Sequence, residues 1–212
     1  MRSVVGIDFV VKICGITEEE DGRAALDAGA NALGFNFYRQ SPRYLTVHRS
    51  RELIESLDGD YLRVGVFVNP TETELREAIT AMRLDVIQLH GKRCAAPPEG
   101  VRVWRSLVLP AAPPAPELTE AFLLDAPTSQ FGGSGRTFDW SLAARFPHRA
   151  ILAGGLDAVN VAEAIRTARP WGVDACSRLE STPGRKDASR VRAFVEAALR
   201  EAPAQSHAET RT

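Results

Sequence analysis

The sequence has no CxxC pair: its three cysteines, Cys14, Cys94 and Cys176, stand far apart and are odd in number. With only four scattered histidines, it offers neither zinc-ligand spacing nor a disulfide framework, so no metal and reduced thiols are expected. It also lacks an excess of positive charge. The 26 Lys and Arg residues face 27 Asp and Glu, a formal net charge of −1, which excludes a broad basic face for nucleic acid or anionic lipid. No apolar run reaches the roughly 18 residues of a membrane span. The opening residues, MRSVVGIDFVVKICG, lack the basic, apolar, small-residue order of a cleaved leader. A soluble cytoplasmic protein is expected, without nucleic-acid or membrane partners. No surplus hydrophobic stripe asks for a second copy, so a monomer is expected.

What is present is ordinary globular material, 44% hydrophobic and 25% charged over 212 residues, enough for one well-buried domain. Short apolar runs at 9–14, 32–37, 62–68, 86–89, 101–107, 121–125, 150–153 and 172–175 read as strands. Their near-continuous hydrophobicity is that of parallel strands covered on both faces. Amphipathic segments at 18–28, 47–57, 71–82, 158–167 and 188–199 read as helices; Glu72, Leu75, Ala78, Ile79 and Met82 have the spacing of a single helix side. Eight strand–crossover units in this length imply an α/β protein, a single (β/α)8 TIM barrel over residues 1–200. The fourth and fifth crossovers contain CAAPPEG and PAAPPAPELTE, whose prolines interrupt helices, so shortened or irregular crossovers are expected there. The tail, 201–212, is small and polar and is expected to fray. An open doubly wound sheet would share the alternation. The barrel is preferred because Cys14, Asn36, His90, Asp125, Gly154, Gly155 and Ser177 all fall at strand C-termini, which only a barrel gathers onto one mouth.

Those ends carry the chemistry. In VKICGIT, alternation puts Lys12 and Cys14 on one side of the strand, with Thr17 placed to cap the helix that follows. A lone strand cysteine is usually a small buried hydrophobe. An ammonium about 6–7 Å below it must itself be paired, and it favours the thiolate. Closing the barrel sets strand eight beside strand one, so Asp174 is the expected partner of Lys12. The loop after strand two, YRQSPRYL, carries Arg43, placed to clamp a planar carboxylate with two hydrogen bonds. Strand four ends QLHG and presents Gln88 and His90 on one face. Strand six ends LLDA, setting Asp125 at the rim, before FGGSGRTFDW, which reads as a mobile lid with Asp139 capping the next helix. Gly154 and Gly155 follow strand seven, and Ser177 and Arg178 follow strand eight. Loops at these two ordinals bind phosphate in many barrels, through backbone N–H groups and a short helix N-terminus.

Taken together, VKICGIT, LGFNFYRQSPRYL, VGVFVN, DVIQLHG, LLDA with GGSGRTFDW, ILAGGLDAVNV and VDACSRLESTPGRKD resemble the phosphoribosylanthranilate isomerase family, in its order, from about residue 11 to 195. The resemblance implies an enzyme of tryptophan biosynthesis that needs no cofactor. Its reaction is the Amadori rearrangement of N-(5-phosphoribosyl)anthranilate, a small phosphosugar substrate. By position, Cys14 matches the general base, Asp125 the general acid and Arg43 the residue that orients the anthranilate carboxylate. The AGG glycines and the turn at Ser177 match phosphate-binding positions. The chain departs from the family after the strand-eight Asp, where Ala175, Cys176, Ser177 and Arg178 replace small residues and glycine. A rebuilt phosphate loop using Arg178 is expected. Two other readings remain: a related barrel isomerase of a histidine-pathway aminoaldose, alone or with dual specificity, and a phosphate-binding barrel without catalysis. The first calls for an Asp where Cys14 stands; the second has no use for both Cys14 and Asp125.

Overall fold

The computed structural model describes residues 7–126 and 137–203. Eight parallel strands close into a barrel in sequence order: β1 (Val10–Cys14), β2 (Ala32–Asn36), β3 (Leu62–Val68), β4 (Val86–His90), β5 (Arg102–Val108), β6 (Ala121–Asp125), β7 (Ala150–Leu152) and β8 (Gly172–Ala175). The seam is made by β1 against β8, with Lys12 opposite Asp174. The expected strands are all present, with ends displaced by a residue at most.

Two apolar cores flank this sheet. Val10, Leu62, Val64, Val86, Trp104, Leu123 and Ile151 fill the barrel from within, so it is a packed interior and not a channel. A larger core lies between the strands and their helices, and includes Phe35, Leu75, Phe122, Val191 and Phe194. Five helices supply its outer wall: α1 (Glu19–Asp27), α2 (Val47–Ser56), α3 (Glu72–Met82), α4 (Val161–Ala168) and α5 (Ala188–Glu201). Their starts follow side-chain chemistry. Thr71 and Glu74 form a capping box on α3, and Asp187 accepts from the N–H groups of Ser189 and Arg190 at α5.

Three local expectations are corrected. Thr17 does not cap α1; its hydroxyl donates to the Gly184 carbonyl instead, and α1 starts without a side-chain cap. Helix α4 begins three residues late, because Asp157 and Asn160 hold residues 157–160 in a turn of their own: Asn160 accepts from Asp157 N and donates to the Gly155 carbonyl. The segment capped by Asp139 is a short 3-10 turn, Trp140–Arg145, in place of a full helix.

As expected from their prolines, the fourth and fifth crossovers contain no α-helix, and 109–120 holds only the 3-10 turn Pro116–Leu118. A small hairpin not expected from the sequence, β9 (Glu180–Thr182) with β10 (Arg185–Lys186), stands between β8 and α5. Helix α5 reaches Glu201, which pairs with Arg166 at 2.7 Å. The expected lid glycines, 132–135, and most of the expected frayed tail lie outside the described residues. No helix among those described is long and apolar enough to cross a membrane.

Candidate active site

A cavity opens at the C-terminal ends of the barrel strands and is lined by ten residues singled out from the sequence: Cys14, Arg43, Gln88, His90, Asp125, Gly154, Gly155, Asp174, Ser177 and Arg178. It is the barrel topology that collects them, since they span 165 positions of the chain but occupy equivalent strand ends.

On the β1 side the groups are charged and tightly paired. Lys12 is fully buried and its Nζ lies 2.8 Å from Asp174 Oδ1, as the seam predicts. Burial opposes the Lys12 charge, but Asp174 and the Cys14 thiolate more than restore it, so the amine stays protonated. Burial lifts the Asp174 carboxyl above the usual carboxylate range, while Lys12 pulls it back. Gly34 of β2 makes this assembly possible. A Cβ there would stand 3.0 Å from Cys14 Sγ and 3.1 Å from Lys12 Nζ, so any larger residue would wedge between sulfur and ammonium. The Cys14 thiol is held well below its ordinary value. A hydrogen bond from Cys176 acts first, burial opposes it, and the charges of Lys12 and Lys186 add to the lowering.

Arg43 is placed differently from the expectation of a free fork. Its Nε and Nη2 donate to Glu180 Oε1 and Oε2 at 2.7 and 2.6 Å, so the bidentate face is occupied by a carboxylate of the protein. Against burial, Arg43 and Lys186 hold Glu180 below its usual value. Glu180 and Lys186 were not singled out in the sequence, and Cys176 was noted there without a role. The Pro183–Gly184 turn between alternating residues was the signal for their hairpin.

Across the mouth, Asp125 depends on burial. Its Oδ1 accepts from the Ala126 N–H at 2.8 Å. Burial nevertheless raises its pKa, with the Cys14 charge adding to the rise. His90 is pushed down to about 4 by burial, the Lys12 charge adding and the Cys14 charge opposing, so it is a neutral imidazole at physiological pH. Its Nε2 lies 2.8 Å from Gln88 Nε2, which fits the Gln amide donating to a bare ring nitrogen. Gln88 Oε1 is buried with no protein partner and borders the cavity, free to accept from a ligand hydroxyl.

The third side holds the turns after β7 and β8 that the sequence offered for an anion. Gly154 and Gly155 have φ of +79° and +62°, a backbone that other residues rarely adopt. Ser177 starts a 3-10 turn, Ser177–Leu179. Arg178 Nη1 reaches Asp157 Oδ2 at 2.6 Å, so the guanidinium ties the β8 loop to the β7 loop. Cys94 does not line this cavity; its thiol lies 3.2 Å from the His90 carbonyl. Among the described residues no cluster of three or more His, Cys, Asp or Glu side chains could hold a metal.

A closed parallel barrel with a buried ammonium under a lowered thiol, a raised carboxyl opposite and glycine turns after β7 and β8 defines a (β/α)8-barrel enzyme of acid–base chemistry. Comparison with known proteins sharpens that class. The sequence model of the family described as N-(5'phosphoribosyl)anthranilate (PRA) isomerase matches residues 11–197, and the chain belongs to that family.

The N-(5'-phosphoribosyl)anthranilate isomerase of Solibacter usitatus is 46% identical over 201 residues, 90% of this chain and 97% of its own. That of Pseudomonas fluorescens is 42% identical over 196 residues, 88% and 96% of the two chains. Among solved structures, the phosphoribosyl anthranilate isomerase of Thermotoga maritima superposes with a TM-score of 0.80 at 34% identity, covering 90% of this chain and 98% of that one. A phosphoribosyl anthranilate isomerase in complex with reduced 1-(o-carboxyphenylamino)-1-deoxyribulose 5-phosphate gives 0.74 at 32%, with the same coverage.

Proposed function

We propose that the protein isomerises N-(5-phosphoribosyl)anthranilate to 1-(2-carboxyphenylamino)-1-deoxyribulose 5-phosphate, with Asp125 as general acid and Cys14 as general base. The observation that carries the assignment is the pair itself: an acid raised by burial and a thiol lowered by donors and cations, facing one cavity. Unshifted, both would be in the wrong state near neutrality, since reference values are about 3.9 for Asp and 8.5 for Cys.

Asp125 delivers its proton to the ribose ring oxygen as the C1′–O bond breaks and the anthranilate nitrogen lone pair forms the C1′=N bond. The resulting carboxylate faces the iminium. That iminium acidifies the C2′ proton, which the Cys14 thiolate removes; the C–H electrons form C1′=C2′ and the nitrogen recovers its lone pair. Protonation at C1′ with loss of the C2′ hydroxyl proton gives the ketose. The substrate nitrogen supplies its electron pair when the ring opens and takes it back when C2′ loses its proton.

The phosphate is assigned to the N–H groups of the Gly154–Gly155 turn and the Ser177 turn, with Arg178 supplying nearby charge. With Nε and Nη2 of Arg43 occupied by Glu180, the anthranilate carboxylate is assigned to the guanidinium's remaining nitrogen. Gln88 Oε1 suits a ribose hydroxyl. Asp174 acts indirectly, through Lys12. A monomer suffices, because one chain supplies every group, and three free thiols suit a reducing cytoplasm.

Loss of fluorescence from freshly generated substrate tests the proposal. Wild type turns over, and Cys14→Ala and Asp125→Asn each fall about 10²-fold or more. Undiminished turnover in Cys14→Ala rejects the assignment of the base.

A further inference from the structure

Resting on the reading of Arg43 as the partner of the anthranilate carboxylate, we infer that Glu180 is a positioning residue for the reaction: its carboxylate holds the Arg43 guanidinium beside the base, with one nitrogen left for the substrate. The β2 loop fixes only the backbone of Arg43, whose N–H donates to Ser41 Oγ at 3.1 Å. Among the described residues, the guanidinium itself bonds only Glu180, through Nε at 2.7 Å and Nη2 at 2.6 Å. The stem of Arg43 passes against Gly15, the residue after the base: a Cβ there would stand 2.5 Å from Arg43 Cδ. The pair is sheltered, with side-chain exposures of 12% for Arg43 and 4% for Glu180, so it is not one of the solvated surface pairs that contribute little.

Glu180 is itself held from several directions. Its Oε1 accepts from Lys186 Nζ at 3.0 Å, an amine with no solvent exposure. Its backbone carbonyl accepts from Arg190 Nη1 at 2.7 Å. The hairpin that carries it is tied down by the Lys186 N–H on Asp21 Oδ2 at 2.9 Å and by the Thr17 hydroxyl on the Gly184 carbonyl. The turn of the same hairpin meets the residue before Arg43, since a Cβ on Gly184 would stand 3.1 Å from the Pro42 carbonyl oxygen. The hairpin thus grips residues 42 and 43 with both its turn and its first strand.

Two consequences for binding follow. An arginine free on its flexible stem loses rotamer freedom when it takes a ligand, and a pre-set pair with Glu180 removes that loss. Charge is trimmed as well. Arg43 and Lys186 against Glu180 leave one net positive charge, which suits one carboxylate. The two-nitrogen edge that Glu180 covers is the edge that would grasp a phosphate, so an uncovered fork would compete with the β7 and β8 turns for the other end of the same substrate.

The test uses two ligands in isothermal titration: the ketose product reduced at C2′, and its phenylamino counterpart lacking the carboxylate. In Glu180→Gln the carboxylate ligand should bind about tenfold more weakly, while the phenylamino ligand is unchanged. The double variant Glu180→Gln with Lys186→Met, which leaves no buried amine unpaired, should show the same selectivity. In an Arg43→Met background, Glu180→Gln should cost nothing further, because the two act as one unit. Equal weakening of both ligands, undiminished affinity in Glu180→Gln, or additive losses with Arg43→Met each overturn the inference.

Nitrogen-15 NMR of folded wild type gives a reading that needs no Glu180 variant. The Arg43 Nε–Hε signal, assigned by its disappearance in Arg43→Met, should exchange slowly with water both before and after the carboxylate ligand binds. A signal that exchanges as fast as those of surface arginines in the free protein overturns the inference. Failure of the underlying reading looks different: Arg43→Met would then weaken both ligands alike, and the carboxylate would have to be held elsewhere.

Discussion

The two walls of the mouth reach opposite ends by opposite means. Around Cys14, residues from β1, β8, the β2 loop and the β9–β10 hairpin form two sets of short ion pairs, Lys12 with Asp174 and Glu180 with both Arg43 and Lys186. Around Asp125, burial does most of the work, with the Cys14 charge adding to it. A thiol is driven to its charged form by bringing charge and donors to it, which takes many partners in fixed register. A carboxyl is kept in its neutral form by removing water, which takes only apolar cover.

The scaffold differs in the same sense. The strands on the thiol side are backed by α1, α2 and α5, whereas the fourth and fifth crossovers, behind β4 and β5, are loops without an α-helix. Where the site needs exact pairing it stands on helices; where it needs dryness, loops suffice.

The sharpest way to break this contrast is Lys12→Met. It strands Asp174 beside the barrel core, and removing one partner of a buried ion pair costs about 3–5 kcal/mol. It also withdraws a cation from Cys14. Urea unfolding should show the loss, and thiolate-selective alkylation at neutral pH should slow. Lys12→Met with Asp174→Asn should recover most of the stability without recovering turnover. If the single variant keeps both its stability and its thiolate, the charged wall is not what holds Cys14 ionised.

Much of this site was legible in the sequence because barrel closure is a strong constraint. Once eight apolar runs are placed, the strand ends must share a mouth, and β8 must lie beside β1; the Lys12–Asp174 pair follows from register alone. The Arg43–Glu180 pair does not. It joins the β2 loop to the β9–β10 hairpin, 137 positions away, and contacts made by a loop have no period to reveal them. The late start of α4 was lost to side chains, since Asp157 and Asn160 compete with the helix for backbone groups. The proline-broken crossovers were legible because proline acts locally.

A smaller effect probes the acid wall. The folded chain depresses His90 from 6.5 to about 4, so the unfolded chain takes up the proton first as pH falls. The stability at stake is fully present above about 6.5 and is lost as pH drops through that window toward 4. His90→Asn should flatten the fall by about 1–3 kcal/mol, measured as the difference in unfolding free energy between pH 7 and pH 4. Parallel curves for variant and wild type would mean that the imidazole is wetter than the contrast requires. Cys14 alkylation should be little changed in the same variant, since His90 is not among the groups that lower that thiol.

The smallest effect separates scaffold from site. Thr71 caps α3, accepting from the Glu74 N–H while Glu74 returns a bond to the Thr71 N–H, far from either catalytic group in the order of the barrel. Thr71→Ala removes that reciprocal pair and should cost about 1 kcal/mol, seen as a lower unfolding midpoint with an unchanged slope against denaturant. The acid and base limbs of kcat/KM should both stay in place, because neither Cys14 nor Asp125 is set by α3. A displaced limb would show that helix stability feeds into the site through β3 and β4. The division of labour between a helix-backed charged wall and a loop-backed dry one would then be a property of the whole barrel and not of its two halves.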